Sequence, residues 1–162
     1  MAHTHHQAAN VVVNAAAEAV FDHLDDQSRL GGHMEKPSAM MMGGRMAYEF
    51  DAGKGRAVGS MIKMRGSLLG LNLFVTEVVT ERTPPVRKIW ETQGRPHLLV
   101  IDSYRMGFEI TPMSERCRLH IFIDYTLPAT WLGRLFGAIF APLYARWCVS
   151  RMAKDATKAF GG

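Results

Sequence analysis

The chain has 162 residues, a length at which a single domain can bury a substantial core. Hydrophobic residues make up 48% and charged residues 21% of the sequence, which excludes a disordered chain and predicts one folded globular domain. The net charge is +4, but the sequence has no run of basic residues interleaved with aromatic ones. We therefore expect no nucleic-acid partner.

Cysteine usage and the N-terminus favour an intracellular protein without a metal. Cys117 and Cys148 lie alone in separate segments, so we expect neither a disulfide framework nor a zinc site, and we predict a reducing, cytoplasmic location. The polar N-terminus lacks the apolar stretch of a secretory signal. Its histidines have no neighbouring residues that would hold them as ligands, so we predict no metal and no cofactor.

The first part of the chain predicts one strand and two short helices. Residues 1–7 are polar and are expected to form a disordered tail, and residues 9–13 predict a short strand. Asn14 carries a side-chain oxygen that can cap a helix over residues 15–25. A second, weaker helix is predicted over residues 28–34, where two glycines interrupt the pattern.

The middle of the chain has the alternating pattern of strands. Short runs of alternating apolar and polar residues are separated by turns rich in glycine, proline and charge. Six strands are predicted, over residues 45–51, 58–65, 71–81, 87–93, 98–111 and 116–127. Because each strand is followed by a turn short enough for a hairpin, we expect an antiparallel meander.

The same alternation assigns residues to the interior of the fold. The inward sets in the last two strands are Tyr104, Met106, Phe108 and Ile110, and Leu119, Ile121, Ile123 and Tyr125. The earlier strands extend this set with Met46, Tyr48, Phe50, Ile62 and Met64. The strand over residues 71–81 is partly apolar on both faces, so the alternation does not assign it.

Residues 129–160 carry the period of a helix. Six large apolar residues share one broad face, which is expected to pack on the sheet: Leu132, Leu135, Phe136, Ile139, Leu143 and Trp147. Small residues such as Gly137 and Ala141 lie roughly opposite. Pro142 removes one backbone hydrogen bond and is expected to bend this helix or divide it.

This order of elements resembles the START and birch-pollen-allergen superfamily, most closely its bacterial branch of polyketide cyclase/dehydrase and lipid-transport proteins. Three segments carry the resemblance: residues 11–22 (VVVNAAAEAVFD), 84–90 (PPVRKIW) and 123–128 (IDYTLP). The resemblance covers nearly the whole chain. It implies an α+β, helix-grip fold over residues 8–162, in which an antiparallel sheet wraps around a long C-terminal helix. The superfamily includes lipid carriers, hormone receptors and cyclases or dehydratases, so the resemblance does not choose among these functions.

A cavity is expected between the helix and the concave sheet, with a volume of roughly several hundred Å³. Its expected lining comes from the inward strand faces and from the helix: Met46, Tyr48, Phe50, Ile62, Met64, Tyr104, Met106, Phe108, Ile123, Tyr125, Phe136, Ile139 and Leu143. Methionine suits surfaces that adapt to varied apolar ligands, although these residues are also typical of an ordinary core. The predicted function is binding or transport of a hydrophobic or amphipathic small molecule, lipid or polyketide-like.

The alternative function is that of a cyclase or dehydratase acting on a polyketide-like substrate in the same cavity. Asp102 has the parity of Tyr104 and Met106, so it is a candidate general base near one end of the cavity. A position at the solvated rim of the strand is the alternative for this carboxylate. The histidines are dispersed, without the spacing of a metal site or of a catalytic triad. The sequence therefore does not decide whether the protein is an enzyme.

Residues 131–149 approach the length of a membrane span. Arg134, Arg146 and Pro142 argue against a span, and packing on a sheet explains the apolar face without lipid. Further basic residues follow this stretch: Arg151, Lys154 and Lys158. Transient contact with an anionic membrane surface is thus an additional expectation, and the sequence favours no particular oligomeric state.

Overall fold

The computed structural model of the chain describes residues 3–35, 44–68 and 70–162. These residues form seven strands and four helices. In chain order they are β1 (His5–Val13), α1 (Ala17–Asp25), α2 (Gln27–Leu30), α3 (Gly32–Glu35), β2 (Arg45–Phe50), β3 (Met61–Leu68), β4 (Leu71–Thr83), β5 (Arg87–His97), β6 (Tyr104–Pro112), β7 (Cys117–Tyr125) and α4 (Trp131–Ala159).

The strands form one antiparallel sheet in the order β1-β7-β6-β5-β4-β3-β2. Strands β2 to β7 follow one another as hairpins, which confirms the predicted meander. Two register shifts between β4 and β5, at Phe74/Thr76 and Val79/Glu81, mark bulges. Bulges bend a strand and increase its twist, so they favour a curved sheet.

The inward sets predicted from alternation are buried, except for Tyr48 and Phe50, which are half buried. Phe108, Ile110, Leu119, Ile121 and Ile123 all lie in the core, and Met106 pairs with Ile123 across β6 and β7. The strand whose faces the sequence does not assign, β4, has its odd-numbered residues Leu73, Val75, Glu77 and Val79 on the buried face.

The structure shifts several predicted boundaries. β1 begins at His5, so residues 5–7 belong to the sheet rather than to a tail, because backbone pairing with β7 does not require apolar side chains. Residues 1 and 2 of the expected tail lie outside the described residues. β5 extends to His97, and β6 begins only at Tyr104, so residues 98–103 form a loop. The helix cap expected at Asn14 is also wrong, because α1 begins at Ala17 with Ala16 in the N-cap position.

A buried ion cluster joins the end of α1 to the sheet. The ammonium group of Lys88, which is fully buried, lies 2.9 Å from the main-chain oxygen of Asp25 and 3.0 Å from its Oδ1. Arg82 donates to the same carboxylate at 2.9 Å. Burial alone would raise the pKa of Asp25, but the hydrogen bonds from Arg82 and Lys88 hold it below its usual value. This cluster fixes the side of the sheet on which α1 and α2 lie.

The long helix packs through its small residues, contrary to the prediction. Gly137, Ala141 and Ala145 are buried, whereas five of the six large apolar residues expected on the sheet, among them Phe136 and Ile139, are about half exposed. The sixth, Trp147, is partly buried and packs against the core. A Cβ atom on Gly137 would lie 2.9 Å from the carbonyl oxygen of Val100, so the helix lies closer to the loop before β6 than a larger residue would allow. Pro142 lies inside one continuous helix and does not divide it. No helix among the described residues is long and apolar enough to cross a membrane.

Candidate functional site

A cavity of about 90 Å³ lies between the concave face of the sheet, α2 and the second half of α4. It is smaller than the several hundred Å³ expected from the sequence. Its apolar lining comes from all three elements and from the loop before β6: Leu30, Met46, Met64, Leu73, Val75, Leu98, Ile101, Met106, Ile123, Cys148 and Met152. Its polar and aromatic lining consists of Gln27, Tyr48, Glu77, Trp90, Tyr104 and Tyr144. A mainly apolar cavity with a few polar groups is the usual composition of a small-molecule site.

Glu77 is the only carboxylate that the described part of the chain contributes to this lining, and it is buried in the middle of β4. The hydroxyl of Tyr104 and the indole N–H of Trp90 donate hydrogen bonds to it. Burial raises the pKa of Glu77 to about 7, against the opposing effects of these two hydrogen bonds and of the positive charge of Lys88. Because this pKa is close to neutral pH, the carboxyl group can either accept or donate a proton there.

Gln27 supplies a second polar group to the cavity wall. Its side chain is 4% exposed, and its Oε1 has no hydrogen-bond partner among the described residues. A buried carbonyl oxygen without a partner costs free energy, and a donor on a bound molecule would remove that cost. Gln27 lies at the start of α2, two residues after Asp25, whose ion cluster holds the end of α1 against the sheet.

The remaining polar groups of the wall have structural partners. The hydroxyl of Tyr48 donates to the carbonyl oxygen of Gly31 at 3.2 Å, and a Cβ atom on Gly31 would overlap that hydroxyl. Tyr144 and Cys148 are in hydrogen-bond contact on adjacent turns of α4, and burial raises the pKa of the Cys148 thiol to about 12. A thiol with that pKa stays protonated at neutral pH, so Cys148 is not an activated nucleophile.

The structure brings six of the predicted cavity residues together: Met46, Tyr48, Met64, Tyr104, Met106 and Ile123. Ile62, Phe108 and Tyr125 are buried elsewhere in the core, with Phe108 packed edge-on against Phe21 of α1. Phe50 is half buried, stacks on Tyr48, and borders a surface depression beside the loop between β2 and β3.

Four predicted site residues lie outside the cavity. Phe136, Ile139 and Leu143 are exposed on α4, because the helix turns its small residues towards the sheet. Asp102 is exposed in the loop before β6, and its backbone N–H donates to the carbonyl oxygen of Thr126. The parity that placed Asp102 with Tyr104 does not apply, since the strand begins after it. Asp102 is therefore not a base in this cavity.

Sequence reasoning missed Glu77, Gln27 and Trp90. Glu77 stands where the alternation of Leu73, Val75 and Val79 requires an apolar residue, so assigning the faces of β4 would have identified it. Within the described parts of the chain, no group of three or more His, Cys, Asp or Glu residues could hold a metal ion.

The fold is shared with proteins of solved structure at low sequence identity. Truncated norcoclaurine synthase from Thalictrum flavum is 15% identical, with a TM-score of 0.67 over 98% of this chain and 95% of that one. The protein TTHA0849 from Thermus thermophilus is 14% identical, with a TM-score of 0.66 over 96% and 99% of the two chains. Ara h 8.0201 is 9% identical, with a TM-score of 0.62 over 96% and 97%.

These neighbours have the fold of the START and birch-pollen-allergen superfamily, so the helix-grip fold expected from the sequence is confirmed. One further structure of norcoclaurine synthase from Thalictrum flavum, 17% identical to this chain, is a complex with dopamine and hydroxybenzaldehyde. No family model matches the chain, and no curated protein matches its sequence.

Proposed function

We propose that the protein binds an amphipathic small molecule in the cavity, as a carrier or sensor, with the polar end of the ligand at Glu77 and Gln27. The observation that carries the proposal is a buried, mainly apolar cavity whose wall holds the unpartnered Oε1 of Gln27 and a buried carboxyl group. A ligand with a hydrogen-bond donor satisfies Gln27, and its apolar part contacts the remaining wall. Norcoclaurine synthase, which has the same fold, forms a complex with dopamine and hydroxybenzaldehyde, which supports binding of small molecules by this fold.

The cavity must expand to hold a lipid or polyketide-like ligand, and its wall is suited to doing so. Four methionines line it, Met46, Met64, Met106 and Met152. A methionine side chain is unbranched and has three rotatable bonds, so it adapts to a ligand at low cost. The proposed ligands are therefore larger than the 90 Å³ of the empty cavity.

Binding can be measured by NMR on protein labelled with methyl-13C methionine. Phenol and toluene have similar size, but only phenol carries a hydroxyl donor. We expect phenol to shift the methyl signals of the four cavity methionines and to leave the signal of Met113, which is 43% exposed, in place. Toluene should bind roughly fivefold more weakly, the effect of one net hydrogen bond.

Matched variants locate the site. Met106→Trp fills the cavity and should abolish the shifts, whereas Ile139→Trp, on the exposed side of α4, should leave the affinity unchanged. Gln27→Leu should remove the preference for phenol over toluene. Binding that survives Met106→Trp would place the site elsewhere and overturn the proposal.

Catalysis of the cyclase or dehydratase type is the second candidate function, and the raised pKa of Glu77 favours it. The Glu77 carboxylate would take a proton from the carbon next to a substrate carbonyl, and the enolate formed would attack a second carbonyl of the same substrate to form a C–C bond. The protonated Glu77 would then give its proton to the alkoxide oxygen that this attack produces. This assigns the base to Glu77 in place of Asp102.

Proton abstraction can be tested without knowing the substrate. In D2O, 4-hydroxyphenylacetone should exchange its α-protons for deuterium in the presence of the protein, at a rate that rises through about pH 7. Glu77→Gln should slow this exchange by roughly a hundredfold or more, the usual contribution of a positioned base. Asp102→Asn serves as the control and should have no effect. Exchange equal to the buffer rate would leave binding alone as the function of the site.

A further inference from the structure

The first half of α4 presents a continuous apolar surface to solvent. Six residues make up this apolar face, each between 48% and 56% exposed: Leu132, Leu135, Phe136, Ile139, Phe140 and Leu143. Trp131, at the start of the helix, is 73% exposed. Their spacing of three and four residues places them on the side of the helix opposite Gly137, Ala141 and Ala145, which face the sheet.

This arrangement is the reverse of an ordinary surface helix. Such a helix buries its large apolar side chains and exposes polar ones. Scattered exposed apolar residues are common on proteins, but a contiguous patch of this kind marks an interaction surface.

The charge of the same helix identifies the partner. α4 contains five basic residues, Arg134, Arg146, Arg151, Lys154 and Lys158, and one acidic residue, Asp155, which pairs with Arg151 at 3.6 Å. The net charge of α4 is therefore +4, equal to the net charge of the whole chain. Beyond Leu143, the exposed side of the helix continues as Arg146 and Lys154. An apolar face next to a basic one fits a surface that is apolar inside and anionic at its boundary.

We propose that α4 docks on an anionic lipid bilayer, with the apolar face of its first half among the acyl chains and the basic residues of its second half at the headgroups. A second copy of the chain fits the surface less well, because its α4 would offer these cations one carboxylate, already paired. The docked helix lies in the plane of the membrane surface and does not cross the bilayer. This proposal is independent of what the cavity binds.

The direct test is co-sedimentation with vesicles of phosphatidylcholine, alone or with about one-third phosphatidylserine. We expect strong binding to the mixed vesicles and little to phosphatidylcholine alone. Phe136→Ser and Ile139→Ser should weaken binding about tenfold each, since each removes a large apolar contact. Val58→Ser and Leu71→Ser change residues that are 63% and 53% exposed elsewhere on the surface, and should leave binding unchanged.

Two further measurements test whether α4 itself contacts the bilayer when the protein sediments with vesicles. Arg146→Gln and Lys154→Gln should each reduce binding to the mixed vesicles about fivefold, and the reduction should shrink at high salt. Lipids with brominated chains should quench the fluorescence of Trp131 on docking, and Trp131→Phe should remove that quenching. Circular dichroism melts should match the wild type for every variant, because the substituted side chains are at least half exposed or polar.

Three results would overturn the proposal. One is an absence of binding to the mixed vesicles, and another is binding that Phe136→Ser and Ile139→Ser leave unchanged. The third is a dimer in analytical ultracentrifugation that these variants dissociate, in a protein that does not sediment with vesicles. That result would assign the apolar face to a second copy of the chain.

Discussion

Glu77 occupies a position at which its own strand would place an apolar residue. A carboxylate in such a wall is costly, and the protein lowers the cost with hydrogen bonds from Tyr104 and Trp90 rather than with a direct ion pair. The nearby buried cation, Lys88, is held by Asp25 instead. The buried lysine therefore fixes α1, and the carboxyl group in the cavity has no ion pair of its own among the described residues and keeps a pKa of about 7.

The pKa of Glu77 predicts a pH dependence of stability. The folded-state pKa of about 7 lies above the ordinary value of 4.5, so the folded protein binds this proton more tightly than the unfolded chain. The stabilisation of the folded state by the protonated Glu77 is complete below about pH 4.5 and is lost as the pH rises through 7. Relative to Glu77→Gln, the free energy of unfolding of the wild type should fall by about 3 kcal/mol over this range. Urea melts of both proteins across this range measure the difference. A difference that does not change with pH would show that the pKa of Glu77 is ordinary.

A sequence predicts a residue of the site when a local pattern along the chain determines where its side chain points. Strand parity is a local rule, and it places Tyr104, Met106 and Ile123 on the inward face, where they line the cavity. Extended to β4, the same rule places Glu77 on that face as well. Gln27 could not be found in this way. Its place in the cavity depends on the contact of α2 with strands far away in the sequence, which no local pattern records.

At the scale of elements, α4 shows why a hydrophobic face is an ambiguous signal. The helix has two apolar faces, one of large residues and one of small residues, and hydrophobicity favours the large one for the interior. The structure uses the small one because Gly137 allows the helix backbone to approach Val100 and Pro128. Close packing of backbones is stabilised by many short contacts, and it leaves no room for leucine or phenylalanine.

The strands were predicted better than the helix for a physical reason. A residue in a strand has only two directions to point, so one buried neighbour fixes the others along the strand. The errors in the strands lie at their ends, where β6 begins at Tyr104 rather than at residue 98. That boundary determined the wrong assignment of Asp102, since a residue outside the strand has no parity.

For the whole molecule, the resemblance to a known superfamily predicts the order and pairing of the strands but not the size or the lining of the cavity. A helix-grip fold holds its last helix against a curved sheet, and the space between them depends on the size of a few side chains. Here that space is small, four methionines contribute to its wall, and the helix that bounds it turns the large residues of its first half outward. The size of the cavity and the exposure of the apolar face of α4 thus depend on individual side chains and not on the fold alone.

Space in the cavity that side chains do not fill lowers the stability of the fold but leaves room for a ligand. Substitutions of two valines of β4 test this relation. Val75 and Val79 are each 1% exposed and lie on the same face of the same strand, but only Val75 lines the cavity. Val75→Ile adds one methylene group to empty space and should raise the free energy of unfolding by about 0.8 kcal/mol. Val79→Ile adds the same group to a filled core and should lower it by about 1–3 kcal/mol.

The same pair of variants separates a binding cavity from a packing defect. The affinity for phenol should fall in Val75→Ile, because the added methylene occupies space that the ligand needs, and should be unchanged in folded Val79→Ile. Urea melts and the methionine NMR titration give both quantities for each variant. If Val75→Ile were more stable and bound phenol as well as the wild type, the 90 Å³ space would be a void in the core and not the ligand site.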